Sequence, residues 1–255
     1  MKASFTLKTY IKQLLSVLGL EVMRVSLLGS SNYRLMSILD RYAIHTIFDV
    51  GANTGQFAMR LRESGYSGSI ISFEPLSSAH EILLRNSKHD PNWIVGPRLA
   101  LSNFNGSTYI NISKNSVSSS LNSMLPIHEL VAPQSKYIGQ ELVNVKTFES
   151  ILSEFPAAQI HNHSCLLKID TQGHEYEVLE GCGASLEALT GLLLELSIKE
   201  LYESEKNMLA IFDWLGTHGF ELWSLSPAFV DKKTCRILQY DCLFINTKLF
   251  ASDLS

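Results

Sequence analysis

The sequence predicts an α/β protein with a mostly parallel sheet, helices on both of its faces and an antiparallel hairpin at its end. Three observations predict it: a strand, glycine turn, helix and strand in succession over residues 46–74; apolar strand-length runs alternating with helix-spaced ones beyond it; and two final strands with no helix between them. The first unit needs a crossover, because only a crossover brings two strands parallel, and its hand is almost always right. The last two strands, residues 220–225 and 240–246, are joined by a bend and a loop, so they pair antiparallel.

A chain of 255 residues holds one such domain with a complete core, preceded here by an N-terminal helical extension; the expected division is 1–44 and 45–255. The net charge of −4 and the absence of a dense basic cluster disfavour a nucleic-acid partner. Cys165, Cys182, Cys235 and Cys242 form no Cys-x-x-Cys pair and lie in or beside apolar runs, which reads as reduced, packed thiols in a cytoplasmic protein rather than a disulfide frame or zinc site. No apolar run reaches the ~18 residues of a membrane-spanning helix, and the spaced apolar positions of the N-terminus argue against a signal peptide.

The elements follow in order. Leu7, Tyr10, Ile11, Leu14, Leu15 and Leu18 fall at helical spacing, with Gly19 as a stop. Lys2, Lys8 and Lys12 could bring this helix to an anionic membrane; packing on the domain or on a second subunit, as in a homodimer, is the better-supported reading for so few charges. A second helix, residues 32–41, leads into strand Thr46–Val50. After residue 75 the sequence reads as a helix ending near His89, a break at Asp90-Pro91 and a strand at Trp93–Val95. Ala100 and Leu101 fall where the sheet's third strand would deliver residues to the adenine edge of a nucleotide. Asn105-Gly106 is a tight turn before a strand at 107–112. Residues 113–140, polar and weakly periodic, are expected to form a lid on the acceptor side or a disordered insertion; Ser119 and Ser120 lie in their serine run. A strand at 142–146 and a short helix at 147–154 return the chain to the core. A helix follows at 206–217.

The glycine turn Gly51-Ala52-Asn53-Thr54-Gly55 calls for chemistry. Residues without a Cβ suit a backbone that passes close to a ligand. Glu74, about 20 residues on, is placed to hydrogen-bond an adenosine ribose. A dinucleotide site wants a Gly-x-Gly-x-x-Gly turn and a phosphate loop wants Gly-Lys-Ser/Thr; neither is present. Asp49 beside the turn suits a cation such as the sulfonium and ammonium of S-adenosylmethionine.

The second informative stretch is 166–181. Lys168 and Asp170 share one face of a strand whose carboxyl end is the ligand-binding edge of an open α/β sheet, and His174 and Glu175 open the next helix. Ionisable groups that converge there are candidates for acid-base work. Glu195 is out of place in the apolar run 191–197 unless it faces the same pocket. His161-Asn162-His163 has a metal-like spacing but reads as a solvated loop.

Together, residues 48–55, Phe73-Glu74-Pro75, Ser118-Ser119-Ser120-Leu121, residues 168–175 and Glu195-Leu196-Ser197 closely resemble the FkbM family of S-adenosylmethionine-dependent methyltransferases, over roughly residues 46–246. The resemblance implies a class I methyltransferase (Rossmann-like) fold with a seven-stranded sheet and O-methylation of a sugar, glycan or polyketide-type small molecule. It also implies cofactor contacts at Asp49, Gly51, Asn53, Gly55 and Glu74, with Lys168, Asp170, His174 and Glu175 on the acceptor side. In the chemistry this suggests, His174 is slightly favoured over Asp170 as base, because an imidazole titrates near neutral pH, with Lys168 stabilising oxyanion charge. A divalent metal held by Asp170 and nearby acids is the alternative, though no ligand triad supports it. The rival classes are an NAD(P)-dependent oxidoreductase and a catalytically inactive binding or scaffold protein of the same fold.

Overall fold

The computed structural model describes residues 2–19, 26–27, 29–152 and 164–250. The chain divides into two compact units, 1–38 and 39–255. In the first, α1 (Lys2–Val17) ends beside Gly19, as its spacing predicts. α2 (Ser31–Arg41) begins one residue before its predicted start. No helix among the described residues is long and apolar enough to cross a membrane.

The second unit is built on a seven-stranded sheet. Its strands are β1 (Thr46–Val50), β2 (Ser69–Phe73), β3 (Trp93–Val95), β7 (Cys165–Ile169), β8 (Gly191–Ser197), β9 (Phe220–Asp231) and β10 (Arg236–Asn246), in the order β3-β2-β1-β7-β8-β10-β9. All pairs from β3 to β8 are parallel, and β10 runs antiparallel to both β8 and β9. That order, with its reversed last strand, is the class I methyltransferase arrangement. β1 and β7 are buried at every position, which is why their sequences are nearly continuous apolar runs. The final hairpin is longer than the sequence suggests, because its outer half is exposed and loses apolar alternation.

Helices α3 (Gln56–Glu63), α4 (Ser77–Ser87), α6 (Phe148–Leu152), α7 (Glu175–Glu180) and α8 (Met208–Thr217) connect these strands. Phe148 of α6 meets Phe48 of β1 edge to face, with ring centroids 5.0 Å apart, a contact worth about 0.5–1.5 kcal/mol beyond its buried area.

A second, smaller sheet, order β4-β6-β5, contains β4 (Ala100–Leu101), β5 (Gly106–Ser113) and β6 (Tyr137–Lys146). Ala100 and Leu101 therefore belong to this sheet and not to the third strand of the main one, which is β3. The segment between β5 and β6 is a built wall rather than a disordered insertion. The Ser120 hydroxyl donates to the Gln172 carbonyl at 2.7 Å, the Asn122 amide to the Gly173 carbonyl at 2.7 Å, and α5 (Pro126–Val131) follows.

Cys165, Cys182 and Cys242 are buried free thiols, as expected; Cys235, in the turn of the final hairpin, is exposed. His161 and His163 lie outside the described residues.

Candidate active site

The strand order reverses between β1 and β7, and the ends of two adjacent parallel strands part there to leave a crevice. The cleft at this point spans about 540 Å³ of empty space, open solvent at its mouth included. Gly51, Asn53, Glu74, Ala100, Leu101, Ser119, Ser120, Asp170 and His174 line it, with apolar walls from Phe73, Leu76, Leu99 and Ile110. Asp49, Gly55, Lys168, Glu175 and Glu195 do not line it.

The turn after β1 is fixed from below. Gly51 and Ala52 both donate backbone N–H bonds to the Phe73 carbonyl, at 3.1 and 3.0 Å. Gly51, at φ +74°, has no room for a Cβ, which would strike the Asp170 carbonyl oxygen. Gly55, at φ +91°, would push a Cβ into the rings of Trp93 and the side chain of Leu83. The space a Cβ would need at each glycine is filled by the protein's own backbone or indole; Gly51 still lines the cleft, and Gly55 does not. Asn53 takes the left-handed conformation (φ +48°) that its short amide tolerates. Its side-chain oxygen accepts from the Thr54 N–H at 2.9 Å and its backbone N–H donates to Glu74 Oε2 at 2.8 Å.

Glu74 is buried (4% exposed), and its other oxygen accepts the Leu76 N–H at 2.9 Å. Burial pushes its carboxyl up to about 7, against two backbone N–H donors that favour the charge. Asp49 is fully buried: Lys168 Nζ stands 2.9 Å from Oδ1, and the Ser72 hydroxyl donates to Oδ2 at 3.4 Å. Its charge is met by the lysine, so the cationic partner expected in a cofactor is supplied by the chain itself.

Lys168 is also 3.4 Å from Asp170 Oδ2 and donates to the Gly51 carbonyl at 3.4 Å. Burial alone would lower its pKa, but the carboxylates of Asp49 and Asp170 outweigh burial and hold it above the ordinary value. An ammonium so engaged braces β1 against β7; it is not free to receive oxyanion charge. Glu175 likewise accepts the backbone N–H of Thr171 at 2.8 Å and of Gly173 at 3.0 Å, so it shapes the turn after β7 rather than entering the cleft. Burial and nearby carboxyls push it up to about 8.

His174 lines the cleft, yet both ring nitrogens are taken. Asn122, its amide oriented by the bond to Gly173, presents its oxygen to Nδ1 at 3.0 Å, and Ser102 Oγ stands 2.9 Å from Nε2. An amide oxygen only accepts, so Nδ1 carries the proton and Nε2 accepts from the serine. Burial lowers the imidazole to about 4 and keeps it neutral. The preference for His174 as base meets this opposing geometry. Asp170, with a third of its side chain (33%) exposed at the end of β7, lines the cleft together with the buried Glu74.

Sequence reasoning missed Ser102, Asn122, Gln172 and Tyr202, which hold these groups in place. Ser102, Asn122 and Tyr202 are distant in sequence from what they grip, so no periodicity signals them, while Gln172 grips Asp170 two residues away and also reaches Glu195. No group of three or more metal-binding side chains occurs among the described residues.

The family model for the methyltransferase FkbM domain matches residues 49–222. No curated protein sequence matches the chain. Among solved structures, Streptococcus pneumoniae Sp1610 in complex with S-adenosyl-L-methionine matches at 11% identity and a TM-score of 0.45, over 84% of this chain and 72% of that one. Magnesium protoporphyrin IX methyltransferase (ChlM) from Synechocystis PCC 6803, with the same molecule bound, matches at 9% identity and a TM-score of 0.43, over 84% and 79%. Precorrin-6y C5,15-methyltransferase from Geobacter metallireducens GS-15 matches at 11% identity and a TM-score of 0.40, over 88% and 90%.

Proposed function

This chain belongs to the FkbM methyltransferase family, and from that premise we propose that it transfers the methyl group of S-adenosylmethionine to a hydroxyl of an acceptor of the sugar, glycan or polyketide kind. The observation that carries the reading is the placement of Glu74 and Asp170 on one cleft, at the carboxyl ends of β2 and β7.

The residues present fit the cofactor. Glu74 already accepts two backbone N–H bonds, and its carboxylate oxygens keep capacity for the two hydroxyls of a ribose. Phe73, Leu76, Leu99 and Leu101 offer apolar walls to a purine. When bound, the cofactor supplies an electrophilic methyl carbon on a sulfonium and departs as a neutral thioether.

The chain's part is orientation and proton removal. Asp170 accepts the acceptor hydroxyl's proton as the C–O bond forms, a contribution of about 10²–10⁴ in rate for a well-placed base. Lys168, held 2.9 Å from Asp49, stands 3.4 Å from Asp170 Oδ2 and fixes that side of the carboxyl.

Calorimetric titration with S-adenosylmethionine and S-adenosylhomocysteine, with NADH as control, tests the reading. Binding of the first two, weakened at least about tenfold by Glu74→Ala, is the expected outcome; a tenfold change corresponds to about 1.4 kcal/mol. Binding of NADH alone would sink it in favour of an oxidoreductase, and no binding in favour of a scaffold.

A further inference from the structure

Gln172 occupies a backbone conformation that side-chain-bearing residues rarely adopt, at φ +58°. Strain of this kind persists where surrounding contacts over-determine it. The contacts are explicit. Its amide nitrogen donates to Asp170 Oδ1 at 2.8 Å and to Glu195 Oε2 at 2.7 Å. Its amide oxygen accepts the Tyr202 hydroxyl at 2.8 Å, and its backbone carbonyl accepts the Ser120 hydroxyl at 2.7 Å. Tyr202 is fully buried and packs so closely on Gly173 that a Cβ there would meet its side chain at 2.7 Å. The amide therefore cannot flip: its oxygen is fixed by a phenol that donates, and its two N–H bonds are fixed on two carboxyls.

We propose that Gln172 is the positioning residue of the proton-accepting centre, a neutral amide that ties Asp170 to Glu195 so that the exposed part of Asp170 faces the cleft in one orientation. The proposal rests on the reading of Asp170 as the base. A carboxylate at the end of a strand has a freely rotating χ2; two fixed partners remove that freedom, Lys168 on one oxygen and Gln172 on the other. The amide also keeps two carboxyls near each other without a direct contact between them. Two carboxyls that touch share one proton, and a shared proton would occupy the base.

The groups around the pair come from every neighbouring strand and helix. Lys168 of β7 and Asp49 of β1 lie behind Asp170; Asp241 of β10 is Glu195's register partner; Glu175 of α7 acts on both Asp170 and Glu195; and Arg60 of α3 acts on Asp241. Burial and the carboxyls of Asp170, Asp241 and Glu175 push Glu195 well up, and the Gln172 amide opposes them by donating to its charged form.

The experiment is a carboxyl ¹³C NMR titration of protein labelled at the Asp and Glu side-chain carboxyls, loaded with S-adenosylhomocysteine, with the Glu195 signal assigned by Glu195→Gln. Gln172→Leu removes the donor, and the Glu195 midpoint is expected to rise by about half a pH unit or more. Tyr202→Phe, which frees the amide without deleting it, is expected to move the midpoint in the same direction by less. An unchanged Glu195 midpoint in either variant overturns the proposal, because a residue that merely packs the turn would leave the carboxyl's titration alone. Failure of the wild type to bind S-adenosylhomocysteine would instead count against the methyl-donor reading; the titration is then read on the free protein.

Discussion

Gly51 shows how little room a single residue leaves. It combines a left-handed φ of +74° with a carbonyl oxygen, that of Asp170, sitting where a Cβ would project. Both effects act on Gly51→Ala. The backbone strain alone costs about 1–3 kcal/mol, and the clash must move the turn after β7 that carries Asp170 and Gln172. We expect Gly51→Ala to lose at least about 2 kcal/mol in urea unfolding, with the steric cost added to the strain. Stability within about 0.5 kcal/mol of wild type, the range of a neutral surface change, would show that the turn relaxes and that the close approach is not a constraint. The glycine was legible in the sequence as a turn residue beside a strand. Its reason was not, because the atom it avoids lies more than a hundred residues away.

At the scale of elements, β1 and β7 are joined by a register that sets Asp49 beside Lys168 and Val50 beside Ile169. Asp49 is 0% exposed, and its compensation is the Lys168 ammonium at 2.9 Å. Removing one partner of such a pair strands a charge in the interior, at a cost of about 3–5 kcal/mol; replacing both with neutral groups of similar shape is often nearly neutral. Lys168→Ala is therefore expected to be severely destabilised, and Asp49→Asn with Lys168→Met to recover most of the loss. Chemical denaturation of the two single variants and the double variant decides it: additive losses would mean that the two residues do not form the pair.

The strands of this seam were legible because burial on both faces writes unbroken apolar runs, and the period of two placed Lys168 and Asp170 on one face. The small β4-β6-β5 sheet was not. Ala100–Leu101 is only two residues long, and periodicity does not say which sheet a strand joins. Nor could the sequence show that Ser102 and Asn122 occupy both nitrogens of His174, since those contacts span 72 and 52 residues. The site's acids were found; their division into a partly exposed Asp170 and several buried carboxyls needed the fold.

Across the whole molecule, these buried acids set a pH dependence whose sign can be worked out. Burial raises Glu74 to about 7, Glu175 to about 8 and Asp241 to about 6, and moves Glu195 upward as well. A carboxyl with a folded pKa above its unfolded value holds more protons in the native state. Its contribution to stability falls as pH climbs from about 4 through the folded value. His128 and His174 act oppositely. Burial lowers both to about 4, so their unfolded forms bind more protons up to the ordinary histidine value, and they make stability rise with pH over that interval. The two sets partly cancel below about pH 6.5, the unperturbed histidine value. Above it the histidines are neutral in both states and the carboxyls act alone. Lys168, raised further still, releases its contribution only at strongly alkaline pH. The thermal midpoint of the ligand-free protein is therefore expected to fall between pH 6.5 and 8 at fixed ionic strength. Glu175→Gln, which cannot ionise, should flatten that fall even though it lowers the midpoint overall. A midpoint that climbs over the same interval would mean that these carboxyls are ionised and well paired in the native state. The acid cluster would then be a charged network rather than one exposed carboxylate among buried acids.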